Sequence, residues 1–251
     1  MIIIADLCQN HNGDVDLLKE MVYSAKESGA DYAKIQTIFA DMLSFRNRFE
    51  TGIEEDGVTS SVKRPYKSEY ERLKGLELSY KKQLAFIDIC KEIDIKALTT
   101  AFNIDSIRTI KDIGFKDIKI ASYDCASFPL LKEVKHSFDT IFVSTGATYD
   151  EEITNAAEIL KGSNFTLLHC VTMYPTPLDE YNLSRMKFLR RFTDRVGWSD
   201  HSLVDRDGIK GTIAAIYYGA DVIERHFRIR ASDESKDGPV SIDPSQLTEL
   251  T

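Results

Sequence analysis

Two hydrophobic periods take turns along this chain from one end to the other. Short apolar runs with strand character stand at about 2–7 (IIIADL), 31–36 (DYAKIQ), 96–101 (KALTTA) and 116–122 (KDIKIAS). Four more follow at about 139–145 (DTIFVST), 164–170 (NFTLLHC), 195–199 (RVGWS) and 221–226 (DVIERH). Between them apolar residues recur at spacings of three and four, as in Leu17, Leu18, Met21, Val22 and Ala25, or Ile209, Ile213, Ala214 and Ile216. That is the period of a helix face. Gly29, Gly114 and Gly219 stand just before the second, fourth and eighth strands, where helix C-caps belong.

Strands alternating with helices imply parallel pairing through right-handed crossovers. With eight such runs, the prediction is an α/β fold: a single-domain (β/α)8 TIM barrel over residues 1–251. A doubly wound open sheet is the alternative. The strand ends count against it, because Asp6, Lys34, Thr100, Ser122, Ser144 and His201 are polar, as a barrel with a central site requires. Two stretches break the regularity. Residues from about 38 to 78 have no clear strand and mix charges such as Arg46, Arg48, Glu50 and Arg64. A loop that long in a compact domain is usually functional or disordered, and a lid anchored by Phe45, Phe49, Tyr66 and Tyr70 is the expectation. At the other end, Asp243-Pro244-Ser245 opens a helix that is short, which leaves the seam between the first and eighth strands thinly covered.

Hydrophobic residues make up 43% and charged residues 29% of the 251, ordinary values for a globular protein. The formal net charge of -8 argues against nucleic acid or an anionic membrane as partner. No apolar run approaches the roughly 18 residues of a membrane span. Cys8, Cys90, Cys125 and Cys170 form no CxxC pair, and three sit in or beside predicted strands, where cysteine packs as a small hydrophobe. A reduced cytoplasmic setting is expected.

The candidate chemistry gathers at the strand ends. His201 and His226 close the last two strands, so a barrel sets both imidazoles at one open face; such a pair either grips a divalent metal or is a pair of satisfied barrel histidines. Lys34 and Lys119 lie inside apolar strand patterns, where lysine is costly unless it meets an anion. With the hydroxyls of Ser122 and Ser144 and the loop amides of Thr145-Gly146, they suggest a phosphate site. Asp6 can order a water or bind a substrate hydroxyl, or simply cap its strand. Tyr174, in Tyr-Pro-Thr-Pro, either covers the mouth or belongs to a proline-stiffened loop.

The set ADLCQNHNGD, GADYAKIQT, TTAFN, KIASYD, FVSTGAT, HCVTMYPTP, GWSDHS and ERHF, in this order, closely resembles the N-acetylneuraminate (sialic acid) synthase family, which includes legionaminic and pseudaminic acid synthases. The resemblance runs from residue 2 to about residue 250. It implies condensation of phosphoenolpyruvate with an N-acetylated amino sugar, such as N-acetylmannosamine, to a nine-carbon 2-keto acid and phosphate. It further implies His201 and His226 as ligands of a divalent metal, Mn2+ in the first instance with Mg2+ or Co2+ as alternatives. Lys34, Thr100, Lys119, Ser122, Ser144 and Ser199 match family residues around phosphoenolpyruvate. Asp6 stands at the position of a catalytic glutamate, and Asp124, Tyr174 and Asp237 match sugar contacts.

Departures accompany the match. Asp6 is one methylene shorter than the usual glutamate, and Tyr123 replaces a glycine. The family's C-terminal antifreeze-like domain, which contributes to the sugar end, is not among these residues. A homodimer, with Tyr217 and Tyr218 as interface candidates, or a separate partner domain would then cover that end. Two other functions remain open: a metal-dependent barrel aldolase or epimerase of a phosphorylated sugar, and a non-catalytic barrel serving as a binding or scaffold domain.

Overall fold

The computed structural model describes residues 1–55, 58–61 and 63–251. In chain order its strands are β1 (Ile2–Cys8), β2 (Tyr32–Thr37), β3 (Ile53–Glu55), β4 (Val58–Ser61), β5 (Lys96–Ala101), β6 (Asp117–Ile120), β7 (Thr140–Ser144), β8 (Phe165–His169), β9 (Val196–Asp200) and β10 (Val222–His226). Eight of these are parallel and close a barrel in the order β1-β10-β9-β8-β7-β6-β5-β2. The predicted strands match these eight to within a residue or two, so the TIM barrel expected from the alternation is the observed fold.

Parity decides what fills the barrel. Successive strand residues point to opposite faces, and Ile4, Tyr32, Leu98, Phe142, Leu168 and Val222 meet inside as an apolar plug separate from the main core. Two residues further along each strand, the inward positions become Asp6, Lys34, Thr100, Ser144, Cys170 and Glu224. Lys119 and Ser199 pair in register with Thr100 and Glu224. A greasy floor therefore carries a polar layer at the C-terminal mouth. The main core lies outside, between sheet and helices. The helix Val15–Glu27, capped by Asp14, buries Leu18, Met21, Val22 and Ala25 there.

Two expectations are corrected. The stretch from 38 to 78 is not strandless: β3 and β4 pair antiparallel, Ile53 opposite Ser61 and Glu55 opposite Val58. They are short and mostly polar, so neither hydrophobic period marks them. Helices Asn47–Thr51 and Tyr66–Leu76 flank them. The aromatic anchors do assemble, Phe45 edge-on to Tyr66 at 5.9 Å and Tyr66 stacked on Tyr70 at 6.1 Å. The seam is also better covered than expected. The closing helix Pro244–Leu250 is short, yet it buries Leu247 and Leu250, and the Thr251 hydroxyl donates to the carbonyl of Ser28 at 3.0 Å. The Asp243 carboxylate caps it by accepting from the Gln246 amide. Tyr217 and Tyr218 are exposed.

On the outward face, a buried ion pair ties the last two strands together. Arg225 and Asp200 are opposite in register and meet at 2.7 Å with no solvent exposure. Asp200 also accepts from the Tyr181 and Thr212 hydroxyls at 3.0 and 2.7 Å and from the Ser202 amide at 2.9 Å. The inward neighbours of this pair are Ser199, His201, Glu224 and His226, so the lock on one face holds the register of the other. Breaking a buried pair by removing one partner costs about 3–5 kcal/mol. Arg225→Met should lose that much in urea unfolding, and a loss below about 1 kcal/mol would show that the pair does not hold these strands.

Candidate active site

The site is built on the first polar layer above the plug. Lys34 Nζ lies 2.7 Å from Asp6 Oδ2 and 3.4 Å from Glu224 Oε2, and 3.3 Å from the Thr100 hydroxyl. Lys119 Nζ donates to Ser144 Oγ at 2.6 Å and to the carbonyl of Ile120 at 3.1 Å, with Glu224 Oε1 at 3.7 Å. The Ser199 hydroxyl donates to Glu224 Oε1 at 2.8 Å. All four charged side chains are almost fully buried.

The two lysines differ because their carboxylates do. Burial opposes the charge of Lys34, but Asp6 and Glu224 outweigh it and raise its pKa. Burial lowers Lys119, which Glu224 at 3.7 Å and, more weakly, Asp6 compensate only in part. Burial by itself would raise Glu224, yet the two ammonium groups and the Ser199 hydroxyl hold it at about 2. Lys119 is thus the cation with charge left to give, and it sits beside Ser144.

Above this layer stand the histidines. Their ring centroids are 5.3 Å apart. Tyr174 stacks on His201 at 4.0 Å, with its hydroxyl 2.8 Å from His201 Nε2, so the Tyr-Pro-Thr-Pro turn does bring Tyr174 over the mouth. Burial, then the neighbouring His226, lowers His201 to about 3. His226 Nε2 is 3.7 Å from Asp6 Oδ2. The other Asp6 oxygen accepts from the Cys8 amide at 2.9 Å, so Asp6 both caps the end of β1 and faces the site. One nitrogen of His226, the Cys8 sulfur and a carboxylate oxygen of Asp237 lie within 4.8 Å of one another. This is the one such trio of possible metal donors among the described residues.

The rim carries the remaining candidates. Ser122 Oγ meets Cys170 Sγ at 2.9 Å. Asp124 leaves one buried oxygen without a partner; burial lifts it to about 6, against the pull of Arg46. Tyr123 turns outward, 61% exposed, and stacks near Phe102 at 6.3 Å. Thr145 departs from the phosphate expectation, since its amide donates to the carbonyl of Leu168 at 2.9 Å and its hydroxyl points there too.

Comparison with known proteins places this arrangement. Residues 21–251 match the model described as the NeuB family. The chain belongs to that family. It is 34% identical over 99% of its length to N,N'-diacetyllegionaminic acid synthase of Campylobacter jejuni subsp. jejuni serotype O:2, covering 74% of that protein. It is also 34% identical over 99% of its length to the enzyme of the same name from Legionella pneumophila subsp. pneumophila, covering 69% of it. Among solved structures, the N-acetylneuraminic acid (sialic acid) synthetase of Leptospira borgpetersenii serovar Hardjo-bovis, in complex with citrate, superposes with a TM-score of 0.86 at 28% identity. The match covers 99% of this chain and 80% of that one. As a NeuB-family member the chain is an enzyme of the acid-synthase kind, and the reading as a non-catalytic barrel falls. Among the described residues no helix is long and apolar enough to cross a membrane.

Three participants escaped the sequence reading. Glu224 precedes the conspicuous Arg225-His226, and its inward parity with His226 was the available signal. Cys8 fits the sequence pattern of a small packing residue, but its sulfur lies within 4.8 Å of donor atoms of His226 and Asp237. Asn10 is the third: its amide donates to the carbonyl of Phe227 at 2.8 Å and to Ser241 Oγ at 2.9 Å, fastening the loops after β1 and β10 together.

Acid should loosen this site. His201 and His11 stay neutral in the fold, lowered by burial to about 3 and about 4 from 6.5, so the unfolded chain binds more protons below pH 6.5. Stability then falls as pH falls through that window. Glu224 and Asp200, each at about 2, add a further loss below about pH 4.5. Asp124 opposes, because the folded carboxyl keeps its proton up to about 6. The Tm of metal-free protein should fall steadily from pH 7 to pH 3, and Asp124→Asn should steepen the fall. A flat Tm down to pH 4 would contradict this account of the buried histidines.

Proposed function

We propose that this enzyme condenses phosphoenolpyruvate with the aldehyde form of an N-acetylated amino sugar, giving a nine-carbon 2-keto acid and phosphate. N-acetylmannosamine and its diacetamido relatives are the acceptor class. The observation that carries the reading is the paired buried lysines at the barrel mouth, one of them under-compensated and hydrogen-bonded to a serine. Membership of a family whose named relatives make legionaminic, pseudaminic and N-acetylneuraminate-9-phosphate products supports it.

Lys119, with Ser144 beside it and Ser122 at the rim against Cys170, receives the phosphate, since an arriving dianion supplies the charge that Glu224 gives it only weakly. Lys34 and Thr100 face the carboxylate end. Carbon 3 of phosphoenolpyruvate forms the new bond to the sugar carbonyl carbon, water adds at carbon 2, and the tetrahedral carbon expels phosphate. Asp6 and Glu224 are the carboxylates within reach to orient that water and take its proton. Fixed opposite charges in a dry layer need no reorganisation as charge moves from the enol toward phosphate. Asp124, Tyr174 and Asp237 line the side open to the sugar; the unpartnered oxygen of Asp124 is available to a sugar hydroxyl. Ser199 holds Glu224 in place. His226, with His201 beside it, would hold a divalent metal, and the donors around His226 fit one. When bound, such an ion supplies a Lewis acid for the sugar carbonyl oxygen.

Phosphate release from phosphoenolpyruvate, measured with Mn2+ and each acetamido sugar in turn, tests the proposal. Sugar-dependent release abolished by chelator is expected, and no release with any acceptor despite phosphoenolpyruvate binding would overturn it. Lys119→Met should raise KM for phosphoenolpyruvate by about 100-fold, in line with losing a charge-assisted contact of roughly 2–3 kcal/mol, while leaving the acceptor KM within a few-fold. An equal effect on both constants would contradict the assignment of Lys119 to phosphate.

A further inference from the structure

We propose that Cys8 is a metal ligand, and that Cys8, His226 and Asp237 together form a mixed sulfur, nitrogen and oxygen site at the mouth of the barrel. This rests on the metal requirement in the reading above and specifies its donors.

Distances come first. Donors bonded to one ion lie about 2.0–2.3 Å from it, so any two of them are roughly 3–4.6 Å apart. The three candidate atoms lie within 4.8 Å of one another, which small side-chain adjustments close. Each comes from a different segment: Cys8 ends β1, His226 ends β10, and Asp237 lies in the following loop. Their meeting is a product of barrel closure, since Asp6 and His226 are register partners across the β1–β10 seam.

The site is also braced. Asn10, 5% exposed, donates to Phe227 and Ser241 from the β1 side and accepts from the Ser235 hydroxyl at 2.6 Å. Ser241 in turn donates to the carbonyl of Asp237 at 2.6 Å. One buried amide thus fixes the Asp237 loop against the turn that carries Cys8. The β1–β2 register shifts between Asp6 and Cys8, and Cys8 takes φ +39°, a left-handed conformation uncommon for a residue with a Cβ. His201, by contrast, spends its Nε2 on Tyr174 and stands outside the trio.

The donor set has a consequence for metal choice. Thiolate favours softer ions, whereas carboxylate and water alone suit Mg2+ and Mn2+. The site should therefore prefer Zn2+, Co2+ or Fe2+ over the Mn2+ expected from a pair of imidazoles. On binding, the metal–sulfur bond replaces the S–H bond of Cys8, and that proton passes to solvent.

Titration of the metal-free protein with Co2+, followed by absorption, tests this directly. One equivalent should raise a near-ultraviolet thiolate-to-cobalt charge-transfer band together with visible ligand-field bands. Cys8→Ser should abolish the charge-transfer band and weaken Co2+ binding at least about tenfold. Asp237→Asn should keep the band and weaken binding. Cys170→Ser, which alters the thiol facing Ser122, should change neither, and if Cys8→Ser does not fold, a band that survives in Cys170→Ser, Cys90→Ser and Cys125→Ser assigns the sulfur to Cys8 by elimination. Co2+ uptake with no charge-transfer band, or equal affinity in wild type and Cys8→Ser, overturns the proposal. If the wild-type chain then still releases phosphate from phosphoenolpyruvate with a sugar, the functional reading stands without it. A cysteine-dependent band with no phosphate release from any sugar would leave this site in place and overturn the functional reading instead.

Discussion

The structure turns on four charges buried inside a barrel. Asp6, Lys34, Lys119 and Glu224 lie one side-chain layer above an apolar plug, in a place where an isolated ion would be prohibitively costly. Two ammonium groups and two carboxylates cancel, and hydroxyls from Thr100, Ser144 and Ser199 take up hydrogen bonds around them. Cancellation is uneven, however. Lys34 is shared by two carboxylates, while Lys119 leans on one at 3.7 Å. A layer balanced as a whole is unbalanced at one corner, where Lys119 is the less compensated of the two lysines.

Such a layer demands exact strand registration, because a slip of one residue would turn every member to the opposite face. The outward faces supply the restraint. Asp200 and Arg225 are as deeply buried as the charges inside, and Tyr181, Thr212 and Ser202 complete the hydrogen bonding of Asp200. The strands that carry His201 and His226 are therefore fixed from behind. Asn10 does the corresponding work across the β1–β10 seam, where it joins loops 217 residues apart in sequence. Support for the polar mouth comes from residues on the outward faces and in the loops around it.

Departures from the family pattern look different once placed. Tyr123, which stands where glycine is usual, turns to solvent against Phe102 rather than filling the mouth. Asp6 is short, but its carboxylate is held at both oxygens, by the Cys8 amide and by Lys34, so its position does not depend on side-chain freedom. The long segment after β2 contributes Arg46, whose charge bears on the buried Asp124 carboxyl at the rim.

The alternation of two hydrophobic periods was enough to determine the barrel, the eight strand positions within a residue or two, and the polar strand ends that mark the open face. It also pointed to Lys34, Lys119, Ser122, Ser144, His201 and His226, because a polar residue inside an apolar run is visible from its neighbours alone. The short β3–β4 ribbon carries no such contrast and was missed. The sequence could not tell that Glu224 would stand between two lysines, that Thr145 would be consumed by a backbone carbonyl, or that Cys8 would face a histidine and an aspartate rather than pack. Periodicity is a local property and follows from which face of one strand or helix meets the core. Partnership across strands depends on how the barrel closes, on register and shear, and so only the tertiary structure decided which charges meet, at what distance, and with how much left unpaired.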